Sequence, residues 1–77
     1  MEAINYRVLE SSKNVRLITF VDAANLSRTF RVEVKSILDN QYKCVDYTEA
    51  RCNYGRYINK AYNTMNRLFK KLSKQYG

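Results

Sequence analysis

Six cations, Arg56, Lys60, Arg67, Lys70, Lys71 and Lys74, recur near the C-terminal end of this 77-residue chain, with Asn59, Asn63 and Asn66 set among them. Guanidinium and ammonium groups bind phosphates and carboxylates, and asparagine amides add hydrogen bonds to phosphates, sugars or base edges. The chemistry on offer is recognition of an extended anion. Residues 50–77 carry seven basic side chains and no Asp or Glu, whereas the first 49 residues hold seven basic and seven acidic groups that cancel. All of the net charge of +7 therefore lies in the last third, a segregation that marks a polyanion-binding surface or an interaction arm.

Bond-making chemistry has little to work with. There is no histidine, which excludes imidazole bases, Ser-His-Asp and Cys-His arrangements and His-containing zinc sites. Two cysteines, Cys44 and Cys52, cannot close a structural zinc site and fit neither CxxC nor a secreted disulfide framework. Cys44 reads as a small core filler and Cys52 as an exposed thiol. With glycine only at positions 55 and 77, a phosphate-cradling loop or dinucleotide fingerprint is impossible. No catalytic residue, metal ligand or cofactor is expected, and the chain reads as a non-enzyme.

A helix must position the cations. At about 100° per residue, Tyr47, Ala50, Tyr54, Tyr57, Ile58, Ala61, Tyr62, Met65, Leu68, Phe69, Leu72 and Tyr76 fall within an arc of about 140°. The six cations cluster on the opposite side, and Arg51 falls beside the apolar stripe, outside the basic face. Asp46 and Glu49 have capping-box spacing, which predicts a helix over 47–75, continuous or mildly kinked across Gly55. Acids at its start and lysines at its end suit the helix dipole, so Lys70, Lys71 and Lys74 have an ordinary explanation that Arg56 and Lys60 lack. Like-charge neighbours at i,i+4, such as Arg56 with Lys60 and Lys70 with Lys74, each cost about 0.2–0.5 kcal/mol. No glutamate on that face offsets them.

The first half reads as strands over 3–9, 14–22 and 27–38, with a fourth short strand over 42–45. Ile4, Tyr6 and Val8 alternate with polar residues, as do Phe30, Val32 and Val34, so each strand has one wet face. Val15, Leu17 and Val21 oppose Ile18 and Phe20, which makes 14–22 apolar on both faces and central. Leu26, Phe30, Val34 and Ile37 or Leu38 also fit helical spacing, but the Thr, Val and Ile content of 27–38 favours strand. The expected fold is α+β: an antiparallel three- to four-stranded meander followed by one long amphipathic helix on one sheet face, in a single small domain over 1–77.

A domain of this length buries only about 60% of its unfolded surface, so self-association is expected. The sheet face carrying Ile18 and Phe20, or an outer strand, is the candidate homodimer surface; the competing reading has the loops around Leu26 and Ile37 shield that face. No signal peptide or membrane span is evident, since Arg16 and Thr19 break the longest apolar stretch, and a cytoplasmic location is expected.

These elements point to nucleic acid as partner. Arg56, Asn59, Lys60, Asn63, Arg67, Lys70, Lys71 and Lys74 form the candidate binding face, running about 27 Å along a helix at 1.5 Å per residue. Of the seven tyrosines, Tyr54, Tyr57 and Tyr76 lie on the core arc and read as buried, while Tyr62, at its edge, is the candidate for base stacking. The chain has no RNP1-like run, GXXG clamp, zinc-finger spacing or helix-turn-helix pair, so binding is expected to be backbone-led and sequence-tolerant. RNA is slightly favoured over DNA, because shape and phosphate contacts suffice for structured RNA. The alternative is a small inhibitor or adaptor docking on an acidic surface of a host protein. It is disfavoured because the outer arc has no aromatic anchor. An amphipathic helix lying on membrane ranks below both, since the sheet claims the tyrosine-leucine stripe. In composition, a short Tyr- and Asn-rich chain with a basic helix and no Pro, His or Trp resembles small accessory proteins of bacteriophages and other mobile elements. That resemblance implies a counter-defence factor or an inhibitor acting through RNA or an RNA-handling host protein.

Overall fold

Alternation of apolar and polar residues in the first two thirds of the chain becomes a four-stranded antiparallel ladder. In the computed structural model, which describes residues 3–76, β1 (Ala3–Ser11), β2 (Val15–Asp22), β3 (Ser27–Lys35) and β4 (Tyr42–Arg51) pair in the order β1-β2-β3-β4. One helix, α1 (Gly55–Tyr76), follows and packs on one face of this open sheet. The fold is thus the expected α+β meander with a C-terminal helix.

Two boundaries differ from the sequence expectation. The segment 27–38 is strand only to Lys35, because side chains build a turn from its last residues. Leu38 N–H donates to Ser36 Oγ at 3.2 Å, Gln41 N–H to Asp39 Oδ1 at 3.0 Å, and Asn40 takes a left-handed φ of 57°. The Gln41 N–H bond holds the Asp39 carboxyl below the usual carboxylate range. Ile37 and Leu38 point to solvent and shield nothing.

The larger difference lies at the helix start. β4 runs to Arg51 instead of ending near Val45, and α1 begins at Gly55, eight residues after Tyr47. Tyr47, Ala50 and Tyr54 share a helical phase, but in 47–51 only Thr48 and Ala50 turn towards the helix while Tyr47, Glu49 and Arg51 are exposed, the alternation of a half-covered strand. Backbone pairing decides between these periods. Arg31 faces Tyr47 and Ser27 faces Arg51 across the ladder, so β3 supplies partners that a helix there would leave unmet. Asp46 is accordingly not a helix cap: its carboxylate accepts the N–H of the next residue, Tyr47, at 2.8 Å. Gly55 occupies open space at the first helical position, preceded by Tyr54, whose carbonyl accepts the Ile58 N–H at 3.1 Å.

The core forms between α1 and the two central strands. Ala61, Met65, Phe69 and Leu72 pack on Val15, Leu17, Phe30 and Val32, all of them buried. Full burial of side chains such as Leu17 and Met65 contributes about 1.5–3 kcal/mol each. Both ends of the helix are tied down. Cys52 N–H donates to Leu26 O at 2.8 Å beside the start of α1, and at its end Asn14 Nδ2 donates to the Tyr76 carbonyl at 2.8 Å. The cationic face is therefore held rigidly on the sheet.

The face away from the helix has its own structure. Ile18 and Phe20 are buried there, and Phe20, Thr29, Arg31 and Tyr47 help line a shallow groove of about 360 Å³. Cys44 lines this groove as an exposed free thiol, so it is not the core filler expected; Cys52 is also exposed and free. Glu33, 4% exposed, takes Arg16 Nε at 2.6 Å and an Arg31 guanidinium nitrogen at 2.8 Å. Arg16 also lies over the Tyr42 ring, 3.8 Å from its centre. Extra residues bulge β1 between Ile4 and Arg7 and again between Val8 and Glu10, with Asn5 left-handed at φ 54°. Such bulges twist an edge strand away from flat pairing with another chain.

Candidate nucleic-acid interface

Helical periodicity over 55–76 presents Arg56, Lys60, Arg67, Lys70, Lys71 and Lys74 to solvent, and all six are exposed. Asn59 and Asn63 are exposed among them, whereas Asn66 is half-buried at the margin. From Arg56 to Lys74 the face extends about 27 Å at 1.5 Å per residue. The structure thus brings all of the expected binding residues, Asn59 and Asn63 included, onto one helix surface.

Its electrostatics are unbalanced. Among the described residues every ion pair involves Arg16, Arg31 or Lys43, and no carboxylate lies within 4.0 Å of a helix cation. The shorter helix sharpens this asymmetry. With α1 starting at Gly55, Arg56 falls in the first turn, which contains no acid. A cation there adds to the partial positive charge of the helix start, an unfavourable placement of about 0.3–1 kcal/mol. Only Lys74 lies in the last turn, where the dipole welcomes it.

The tyrosines are arranged differently from the expectation. Tyr62 is half-buried, with its ring against Phe30 at 5.8 Å between centroids and 68° between planes. That edge contact ties Tyr62 to the core, so it is not a free stacking platform. Tyr54 and Tyr57 are exposed instead, at 51% and 58%, and meet each other edge to face at 5.9 Å. Tyr76, also placed on the core arc, is exposed. The helical arc assigned Tyr54 and Tyr57 to the core because it assumed strands beneath every turn. The chain instead leaves the sheet at Arg51, and the first turn of α1 overhangs its end.

That overhang creates a second feature of the interface. A groove of about 310 Å³ lies between the end of β4 and the first three turns of α1, lined in part by Ala50, Arg51, Tyr54, Tyr57, Lys60 and Thr64. Arg51, excluded from the basic face by its angular position, borders this groove at the end of the strand it terminates. Cys52-Asn53 ahead of Gly55 is the only local signal of this elbow, and it is visible only once 47–51 is read as strand.

Among the described residues no three Cys, Asp or Glu side chains converge as they would around a metal ion, and no helix is long and apolar enough to cross a membrane. Compared with known protein families, curated proteins and solved structures, this chain matches none.

Proposed function

We propose that this chain is a small, non-catalytic, cytoplasmic nucleic-acid-binding protein that lays the outer face of α1 along a phosphate backbone. The observation carrying this reading is the row of six exposed cations with no carboxylate partner among the described residues, on a helix whose other face is locked into the core. Such a row releases condensed counterions on meeting a polyphosphate, which supplies affinity without sequence readout. Asn59 and Asn63 add neutral hydrogen bonds along the same track. Structured RNA is favoured over DNA, since a sequence-tolerant convex face suits recognition by shape and phosphate position. A homodimer through the open sheet face, where Tyr6, Val8 and Tyr47 are exposed, would present two such helices.

The test is to purify the protein at low salt and treat matched samples with RNase and with DNase. Co-purifying nucleic acid that RNase removes and DNase spares is the expected result. Material free of nucleic acid that captures protein partners regardless of salt would overturn the proposal. That outcome would favour an adaptor docking on an acidic protein, a reading to which the exposed Tyr54-Tyr57 pair supplies the aromatic anchor it otherwise lacked.

A further inference from the structure

Resting on that nucleic-acid reading, we propose that the β4–α1 groove is a pocket for an unpaired nucleobase, so that the preferred ligand contains single-stranded nucleotides next to the backbone tracked by α1. Tyr54 and Tyr57 stand half-exposed at the groove with their rings 85° apart, an arrangement that leaves ring surface open to a flat ligand. Exposed tyrosine rings offer platforms on which a base can stack. A base inside a closed duplex offers no free face to these rings, whereas an unpaired one does.

Charge sets the orientation of the ligand. Arg51 lines the strand side of the groove and Lys60 the helix side, and both are exposed. Lys60 is also the second cation of the helix track, so a backbone bound along α1 passes the mouth of the groove. Glu49 borders the groove but belongs, with Tyr47, to the β4 face turned away from α1, so Ala50 and Ala61 form an uncharged wall for a base. Thr48 adds a hydroxyl that can donate or accept, and Thr64, whose Oγ1 donates to the Lys60 carbonyl at 2.9 Å, adds an acceptor. The base therefore points inward and its phosphates outward, towards Lys60 and Arg51.

Fluorescence anisotropy with labelled oligonucleotides tests this, using single-stranded RNA, single-stranded DNA and blunt two-strand duplexes of each. The double substitution Tyr54→Ala and Tyr57→Ala is expected to weaken single-strand binding about ten- to a hundredfold, leaving duplex binding and the salt slope unchanged. Tyr54→Phe with Tyr57→Phe restores the affinity, because the ring faces remain. Comparison of the RNA and DNA arms identifies the sugar. Unchanged single-strand binding by the alanine variant, or an equal loss for duplexes, overturns the base pocket while leaving the nucleic-acid reading intact. Wild-type protein that binds no oligonucleotide but retains poly-glutamate in a tyrosine-dependent way overturns both and gives the groove to an acidic protein.

Discussion

The sheet and the helix of this protein treat positive charge in opposite ways. On the open sheet face Arg16 and Arg31 converge on the buried Glu33, and Arg16 is further covered by Tyr42. On the helix Arg56, Lys60 and Arg67 stand exposed with no acid in reach among the described residues and in part against the helix dipole. Arg16 and Arg31 satisfy a requirement inside the chain; the helix cations do not. A charge answered internally serves stability, whereas a row left unanswered at some cost in repulsion is available to an external anion. If this contrast is right, changing one region alters stability without function, and changing the other alters function without stability.

The largest expected effect is on binding. Reversing Lys70, Lys71 and Lys74 to Glu lowers affinity for nucleic acid by about a hundredfold or more, with an unchanged circular dichroism spectrum because all three are exposed. Unfolding of that variant would break the comparison from the helix side. Next, Glu33→Gln leaves Arg16 and Arg31 without their counter-charge. Breaking a fully buried pair costs about 3–5 kcal/mol, and the arginines, 27% and 32% exposed, reduce the expected loss to about 2 kcal/mol. Urea unfolding measures that loss, and nucleic-acid affinity at a concentration where the variant is folded should be unaffected. A fall in binding with no fall in stability would place Glu33 and its arginines in the interface instead.

The smallest effect is the most discriminating. Arg56→Ala removes a cation from the first turn, so the melting temperature should rise slightly, corresponding to about 0.3–1 kcal/mol, while binding weakens by a few-fold. Opposite signs on stability and affinity are hard to obtain from a residue with a structural role. A lower melting temperature would show that Arg56 has a stabilising partner.

The features that were legible in the sequence are those set by local period. The alternation around Tyr6 and Val32 marks strands, and the spacing of Ala61, Met65, Phe69 and Leu72 marks a buried helical stripe with the cations opposite. The start of the helix was not legible, because Tyr47, Ala50 and Tyr54 satisfy a helical phase while Thr48 and Ala50 satisfy a strand. Only pairing with Ser27 and Arg31, about twenty positions earlier in the chain, selects the strand. The misplaced start then hid the Tyr54-Tyr57 groove and made Tyr62 look free. The Glu33 cluster was hidden for a similar reason: Arg31 and Glu33 share a face at i,i+2, but Arg16 joins them only through the β2–β3 register.

The central claim, that the helix cations await a polyphosphate, is tested most directly by the salt dependence of binding to one defined RNA. Six cations each neutralising a phosphate limit the log-log slope to about −5 on a duplex DNA scale and about −4 on a single strand. The account predicts a slope between about −3 and −5 for the wild type, shallower by about 2 to 3 in the Lys70, Lys71 and Lys74 triple variant. A wild-type slope near zero, or a slope the triple variant leaves unchanged, would contradict it.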